Sequence, residues 1–429
     1  MESNSSQRSL HPTNNGNSIE SYFLSFSFSL HKMEKKEQND LNPPSNPQPP
    51  PHDQEEDDDR PLLKPDRNNS DHSSPSPPSE TIEELEKKYG AFTRNDVYGT
   101  MGRGELRLVE KVITGVALVT LVPLRVVSSI AFLVFYYLIC CVCTLFSTPN
   151  RNDDQEDYAH IGGWRRFVVV KAGSFLARVV LFIMGFYWIK EIRRDEDVDG
   201  GLTCQGECKD QTDDSGGRQG VIISNHVSYL DILYTTSCFF PSFVAKKSVA
   251  KLPLVGLICK CLGCVFVQRE SKSSNVKGVS GVVNERIREA HENEDAPLIL
   301  LFPEGTTTNG NYLLPFKTGA FIAKAPVRPL ILRYPYQRFS PSWESISGVR
   351  HILILLCQFV NYLEVIRLPV YHPSQQEKDD PKLYAENVRR MMAREGNMSL
   401  SDIGLAEKRI YHAALNGMPP SVVMHHKDD

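Results

Sequence analysis

Residues 221–231 read VIISNHVSYLD, and this stretch decides the fold of the C-terminal half of the chain. Four apolar residues are typical of a buried β-strand, and the polar pair Asn225 and His226 follows them directly. The next residues begin a helical pattern that contains Asp231. We therefore predict a strand, a tight turn and a helix, the unit from which α/β domains are built.

The spacing of His226 and Asp231 indicates a chemical role. On one continuous helix, side chains five positions apart point about 140° away from each other. The two can meet only if His226 precedes the helix, and Ser228 is a suitable N-cap residue for a helix that starts after the turn. Asp231 can then hold one imidazole nitrogen while the other faces a substrate, as in catalytic triads. The alternative is that Ser228 and Asp231 only cap the helix.

Strands and helices continue to alternate along the chain after this unit. The further strand candidates are residues 243–245, 264–268, 298–302, 328–334 and 362–371, and the helical candidates are residues 279–293 and 380–394. This alternation predicts an α/β domain over residues 220–372, with a mostly buried central sheet flanked by helices. Residues 373–429 are predicted to form a C-terminal helix and a tail.

Three further motifs accompany the histidine and the aspartate. The strand GCVFVQR ends in Arg269, the sequence FPEGT at residues 302–306 follows the apolar run LILLF, and residues 327–330 (VRPL) lead another strand. Alone, a strand-end arginine is usually solvated and a Glu-Gly pair usually marks a turn. In this order and at these spacings, the four motifs resemble the glycerophospholipid acyltransferase family.

The resemblance implies an enzyme that transfers an acyl group from acyl-CoA to the free hydroxyl of a lysophospholipid. It implies that His226 removes the hydroxyl proton and that Asp231 holds the imidazole. It places four residues at the acceptor site, namely Arg269, Glu304, Gly305 and Thr306. Acyl-CoA is then a co-substrate, and neither a cofactor nor a metal is expected.

Longer stretches, such as NHVSYLDILY and LFPEGTTTNGNYLLPFKTGAF, are similar to plant lysophospholipid acyltransferases, especially the lysophosphatidylethanolamine branch. Many members of the superfamily have an arginine directly after Glu-Gly-Thr, where this chain has Thr307. A lysophosphatidate carries close to two negative charges and a phosphodiester carries one. The missing arginine therefore favours a zwitterionic acceptor, and Thr307→Arg is expected to move the preference towards lysophosphatidate.

Two alternatives to this function remain open. The first is an enzyme of the same family that acylates 1-acylglycerol 3-phosphate or glycerol 3-phosphate. The second belongs to another class, a non-catalytic membrane scaffold that binds lipid. The intact pair of His226 and Asp231 argues against the scaffold.

The N-terminal half is predicted to hold a tail, a membrane anchor and a linker. Residues 1–80 contain 12 of the 28 prolines and an acidic run, a composition that favours disorder. Residues 81–194 are predicted to be a helical anchor, in which residues 126–146 are long enough to cross a hydrocarbon core. Pro123 and Arg125 are expected to separate this span from a shorter interfacial helix. Residues 167–189 form a second span or lie in the interface, and residues 195–219 form a linker.

Composition excludes several other classes. A hydrophobic share of 41% is too low for a polytopic membrane protein, and a net charge of −4 does not favour nucleic acid. The chain lacks G-x-S-x-G, P-loop and G-x-G-x-x-G motifs. An EF-hand-like stretch from Asp195 has Gly206 at its twelfth position, where a calcium loop needs Glu.

The family resemblance implies an endoplasmic reticulum membrane enzyme with its site at the cytosolic face, and the sequence leaves the oligomeric state open.

Overall fold

The computed structural model describes residues 86–152, 155–196, 202–205, 220–267 and 279–416. The strands are β1 (Asn150–Asn152), β2 (Gln155–Asp157), β3 (Ile189–Glu196), β4 (Leu202–Gln205), β5 (Val221–Ser224), β6 (Ser242–Lys246), β7 (Val265–Val267), β8 (Ile299–Leu301), β9 (Tyr312–Leu313), β10 (Val327–Arg333), β11 (Leu363–Arg367) and β12 (Ser399–Leu400). The α-helices are α1 (Leu108–Thr144), α2 (Gly163–Ile183), α3 (Leu230–Phe239), α4 (Val255–Leu262), α5 (Val279–Glu292), α6 (Gly348–Cys357), α7 (Gln375–Asp379), α8 (Pro381–Glu395) and α9 (Leu405–Leu415).

The central sheet has eight strands in the order β4-β3-β11-β10-β5-β8-β6-β7. Its middle strands β10, β5, β8 and β6 run parallel to one another, whereas β11 is antiparallel to β10 and β4 is antiparallel to β3. Every strand candidate predicted from the sequence coincides with one of these strands. The predicted α/β domain with a central sheet and flanking helices is confirmed.

The sheet is buried on both faces, since helices cover each of them. Alternate residues of its strands point to opposite sides and so enter two different cores. On one face, Ile222, Leu330 and Leu332 pack in a core with residues of helices α1 to α4. On the other face, Val221 and Ile331 pack in a second core with residues of helices α5 and α8. Residues Tyr89–Met418 form one compact unit that contains both cores.

Two strands lie where the sequence predicted an anchor and a linker. Strand β3 pairs with β11 from Ile189 opposite Leu363 to Arg193 opposite Arg367, and β4 pairs with β3. The sheet therefore begins at Ile189 rather than at residue 220. The sequence assigns residues 189–194 to the anchor and residues 195–219 to the linker, whereas the backbone of Ile189–Glu196 (IKEIRRDE) is paired in the sheet. The predicted tail, residues 1–80, lies outside the described part of the chain.

Helix α1 is continuous over 37 residues, although a break at Pro123 and Arg125 was expected. An interior proline costs about 3 kcal/mol because it removes a backbone hydrogen bond. Packing offsets this cost, since Val122 contacts Leu356 and Cys357 in a buried cluster. Among the described residues, α1 is the one helix whose length and composition would allow it to cross a membrane.

Helix α2 occupies much of the second predicted apolar segment. Its buried residues Val169, Leu176 and Leu181 belong to the core that includes α1 and α3. Its opposite side exposes Phe167 and Phe175, and Trp164 at its start is also exposed. Helix α2 therefore joins the sheet domain to an apolar outer surface.

Candidate active site

Three residues of the candidate site follow the carboxyl ends of adjacent parallel strands. His226 lies just beyond β5, Glu304 just beyond β8, and Tyr334 directly after β10. Because β10, β5 and β8 are neighbours, the three side chains meet at one edge of the sheet. Open α/β sheets bind their ligands at this edge.

His226 and Asp231 are in direct contact, as their spacing predicted. The imidazole Nδ1 lies 2.9 Å from Oδ2 of Asp231, and the aspartate side chain is fully buried. The His226 side chain is 20% exposed and stacks on Phe302 with ring centroids 4.1 Å apart. Among the described residues, its Nε2 has no hydrogen-bond partner, so this nitrogen can face a substrate.

Asp231 also shapes the turn that precedes its helix. Its Oδ2 accepts hydrogen bonds from the backbone N–H groups of Val227 (2.8 Å) and Ser228 (3.0 Å). The prediction that Ser228 caps α3 is wrong, because the helix starts after Tyr229 without a side-chain cap and the Ser228 hydroxyl is buried without a partner. The carboxylate performs both tasks, since it orders the turn and holds the imidazole.

Tyr334 is a member of the site that the sequence did not reveal. Its hydroxyl donates to Oδ1 of Asp231 at 2.6 Å. Burial and the nearby Asp231 carboxylate raise the pKa of Tyr334 well above its usual value, so it remains a donor. The residue was visible only as the end of a predicted strand, and nothing in its local sequence indicated a contact with Asp231.

Asn225 fixes the start of the turn between β5 and α3, here called the catalytic turn, to the neighbouring strand β10. Its Nδ2 donates to the carbonyl of Leu332 (2.9 Å) and its Oδ1 accepts from the N–H of Leu332 (2.8 Å). The side chain is 1% exposed and so continues the β5–β10 pairing beyond the last strand residue. His226 therefore projects from a backbone that is held on both sides.

Glu304 lies inside the protein, beneath the turn that carries His226. Its Oε1 accepts from the backbone N–H of His226 (2.8 Å), its Oε2 accepts from the N–H of Leu314 (3.0 Å), and the residue is 3% exposed. Burial raises the pKa of Glu304 to about 8, although both hydrogen bonds act in the opposite direction. This placement makes Glu304 a support for the His226 backbone.

Gly305 requires glycine because its φ of +71° lies in the left-handed region. A β-carbon built there would come within 2.8 Å of Cε of Lys317, at the flexible end of that side chain. The exposed Lys317 side chain thus packs directly over the turn. Thr306, the next residue, is partly exposed. Arg269 lies outside the described residues.

Thr307, at the position where many members of the superfamily have an arginine, points into the protein. It is 7% exposed, and its hydroxyl donates to the carbonyl of Trp343. Lys408 of helix α9 donates to both the Thr307 carbonyl (2.9 Å) and its hydroxyl oxygen (2.8 Å). Two lysines, Lys317 and Lys408, therefore flank the FPEGT loop without an arginine at position 307.

Within the part of the chain that the structure describes, no group of three or more His, Cys, Asp or Glu side chains could hold a metal ion.

Comparison with known proteins identifies the family of the chain. The Acyltransferase family model matches residues 203–333. The chain is 58% identical over 402 residues to Lysophospholipid acyltransferase LPEAT1 of Arabidopsis thaliana, which covers 89% of this chain and 96% of that protein. It is 33% identical over 304 residues to Lysophosphatidylcholine acyltransferase 1 of Homo sapiens, covering 70% of this chain and 51% of the human protein.

A solved structure of the 1-acyl-sn-glycerophosphate (LPA) acyltransferase PlsC from Thermotoga maritima aligns with 65% of this chain and 100% of that one, at 17% identity and a TM-score of 0.35. The match to the Arabidopsis protein extends over nearly the whole of both chains and far beyond the acyltransferase domain itself. The chain therefore belongs to the lysophospholipid acyltransferase family, as its sequence motifs predicted.

Proposed function

We propose that the chain transfers an acyl group from acyl-CoA to the free hydroxyl of lysophosphatidylethanolamine during phospholipid synthesis and remodelling. The observation that carries the chemistry is the 2.9 Å contact between His226 and the buried Asp231, with the second imidazole nitrogen left for substrate. The acceptor class rests on the similarity to lysophospholipid acyltransferases across the chain.

In the proposed reaction, Nε2 of His226 removes the proton of the acceptor hydroxyl. The hydroxyl oxygen attacks the thioester carbonyl carbon and forms a tetrahedral intermediate. The intermediate collapses with cleavage of the carbon–sulfur bond, and the coenzyme A thiolate takes the proton back from the imidazolium. Asp231 keeps Nδ1 protonated and stabilises the imidazolium, so His226 can act as base and then as acid. No cofactor is needed beyond acyl-CoA as co-substrate.

We place the phosphodiester of the acceptor beside Arg269, Gly305 and Thr306. Arg269 can form two parallel hydrogen bonds to phosphate oxygens, and backbone N–H groups at a left-handed glycine can form an anion-binding nest. Glu304 acts from beneath this surface, because both of its oxygens are bound to backbone N–H groups.

The acceptor preference cannot be argued from the absence of an arginine at position 307. Lys317 and Lys408 already supply positive charge beside the loop, and Thr307 points into the protein. The proposal of an ethanolamine head group therefore rests on sequence similarity. Acylation of lysophosphatidate or of glycerol 3-phosphate remains the alternative within the family.

We infer that the enzyme acts at a membrane, specifically with its site at the cytosolic face of the endoplasmic reticulum. Helix α1 has the length and apolar composition for membrane association, and its most apolar part is only 17% buried within the protein. Exposed aromatic residues of helix α2 extend this apolar surface, and tryptophans are enriched at membrane–water interfaces. Fractionation of tagged protein with organelle markers tests the location.

The deciding experiment is a microsomal assay in which each of several lysolipid acceptors is combined with each of several acyl-CoA donors. Acceptors are delivered at equal concentration in mixed micelles, and rates are compared with those of a His226→Ala variant. We expect the highest rate with lysophosphatidylethanolamine. A higher rate with lysophosphatidate would reject the proposed acceptor, and no His226-dependent transfer to any acceptor would reject the function.

A further inference from the structure

We infer that Lys408 is a positioning residue for the active site, so that helix α9 supports the geometry of the catalytic domain. The inference rests on the proposed acyl transfer. Lys408 lies beyond residue 333, where the match to the acyltransferase family model ends. Its ammonium group nevertheless reaches the loop that follows the FPEGT motif.

The first link in this arrangement is the contact between Lys408 and Thr307. Lys408 Nζ donates to the Thr307 carbonyl at 2.9 Å and to the Thr307 hydroxyl oxygen at 2.8 Å. The same ammonium lies 5.6 Å from the centroid of the buried Phe92 ring. Hydrogen bonds from a charged donor are roughly twice as strong as neutral ones. Lys408 therefore holds the loop at a defined position.

The second link connects this loop to the carbonyl groups of His226 and Val227 in the catalytic turn. Thr307 donates its hydroxyl proton to the carbonyl of Trp343, and the backbone N–H of Trp343 donates to the Val227 carbonyl at 2.8 Å. The N–H of Thr308 donates to the His226 carbonyl at 3.0 Å. Lys408 is thus connected, through Thr307 and its neighbours, to the backbone carbonyls of His226 and Val227.

These hydrogen bonds complement the contact of Glu304 with the backbone N–H of His226. Glu304 accepts the His226 N–H, so the backbone of the general base is held at its N–H by a buried carboxyl group and at its carbonyl by the loop. Misplacement of about 1 Å can cost about 100-fold in rate. Removal of Lys408 is expected to misplace the imidazole without removing any group that touches substrate.

The arrangement also explains why Thr307→Arg would not simply add charge to the acceptor site. Position 307 is 7% exposed and faces Trp343 and Lys408. A guanidinium there would meet the Lys408 ammonium, and like charges in contact repel. The substitution should therefore lower activity on every acceptor rather than shift the preference to lysophosphatidate.

The test compares Lys408→Met, Lys408→Arg and the matched control Arg409→Met, which removes an exposed charge from the same helix. We expect Lys408→Met to lower kcat at least tenfold with less than a threefold change in KM for acyl-CoA. Lys408→Arg should recover a substantial part of kcat, and Arg409→Met should match the wild type. An unchanged kcat for Lys408→Met, or an equal loss for Arg409→Met, would overturn the inference.

A second variant covers the case in which Lys408→Met does not fold. Thr307→Val keeps the side-chain volume but removes the hydroxyl that joins Lys408 to Trp343. We expect kcat to fall severalfold at an unchanged melting temperature, and the double variant to lose no more than Lys408→Met alone. Wild-type kcat in Thr307→Val, or additive losses, would refute the inference. Absence of transfer by the wild type itself would instead count against the proposed function.

Discussion

At the scale of single residues, the proposed chemistry depends on one imidazole nitrogen. His226 stacks on Phe302 and contacts Asp231, but it fills no part of either hydrophobic core. His226→Ala should therefore lower acyl transfer by at least about 100-fold, the lower range for general-base catalysis, while the protein stays folded. Activity per folded protein, with circular dichroism as the folding control, provides the measurement. Retention of more than about a tenth of the activity would contradict the general-base role.

Substitution of Asp231, which contacts His226, should lower kcat more than substitution of Tyr334, which contacts only Asp231. Asp231→Asn removes the negative charge that stabilises the imidazolium, so its loss should approach that of His226→Ala. Tyr334→Phe removes one 2.6 Å donor and leaves Oδ1 of Asp231 buried, which costs about 1–3 kcal/mol. We expect a smaller, roughly tenfold, loss of kcat for Tyr334→Phe. The reverse order of kcat values would show that Tyr334 has a more direct role than the geometry indicates.

Glu304 should make stability depend on pH. Burial raises its pKa from 4.5 to about 8 in the folded protein, whereas the unfolded chain releases this proton near the lower value. Between these values the folded state binds more protons, so its stability falls as pH rises and that contribution is lost above about pH 8. We expect the melting temperature in detergent to decrease from about pH 6 to about pH 9. Glu304→Gln cannot ionise and should show a flatter profile, and identical slopes would contradict the raised pKa.

At the scale of the elements, a buried arginine helps to join the apolar helix α1 to the sheet domain. Arg125 is 4% exposed and donates to the carbonyls of Leu356 (2.9 Å), Gln358 (2.5 Å) and Phe359 (3.1 Å). These carbonyls lie at the end of helix α6, where backbone acceptors lack helical partners. The arginine thus completes α6 and fixes α1 to it.

Arg125→Met should destabilise the protein although it makes α1 more apolar. Each buried carbonyl left without a donor costs about 1–3 kcal/mol, so we expect a loss of several kcal/mol. The melting temperature in detergent and resistance to proteolysis measure this loss, with Lys111→Met on an exposed part of the same helix as the control. The variant should still sediment with membranes. Wild-type stability would show that the hydrogen bonds of Arg125 contribute little to holding α1.

The sequence predicts the elements of this fold better than their partnerships. The strands β5, β8 and β10 are found because each is an apolar run bounded by turn residues. The charged strand β3 was missed because its stability comes from backbone pairing with β11, which has no local signature. His226 and Asp231 are five residues apart and were predicted together. Tyr334 and Lys408 lie 103 and 101 residues from their partners and were missed, because only the folded chain brings them together.

At the scale of the whole molecule, residues before helix α1 take part in the site. Asn309, in the loop after FPEGT, donates from Nδ2 to the carbonyls of Gly90 (2.8 Å) and Thr93 (3.0 Å). Arg94 is buried and pairs with Glu344 at 2.7 Å, one residue after the Trp343 that contacts the catalytic turn. The predicted boundary of the catalytic domain at residue 220 therefore leaves out parts on which the site depends.

This arrangement predicts that two N-terminal truncations will differ sharply. Removal of residues 1–80 should leave activity and membrane association largely unchanged, because that composition cannot build a core and every described contact of the site lies beyond it. Removal of residues 1–94 keeps all of α1 but deletes Arg94, which leaves the 2% exposed Glu344 without its ion-pair partner. Breaking a buried pair in this way costs about 3–5 kcal/mol. The shorter protein should therefore still sediment with membranes yet lose most of its acyl transfer. Comparable activity of the two truncated proteins in the same microsomal assay would show that the segment before α1 does not support the site.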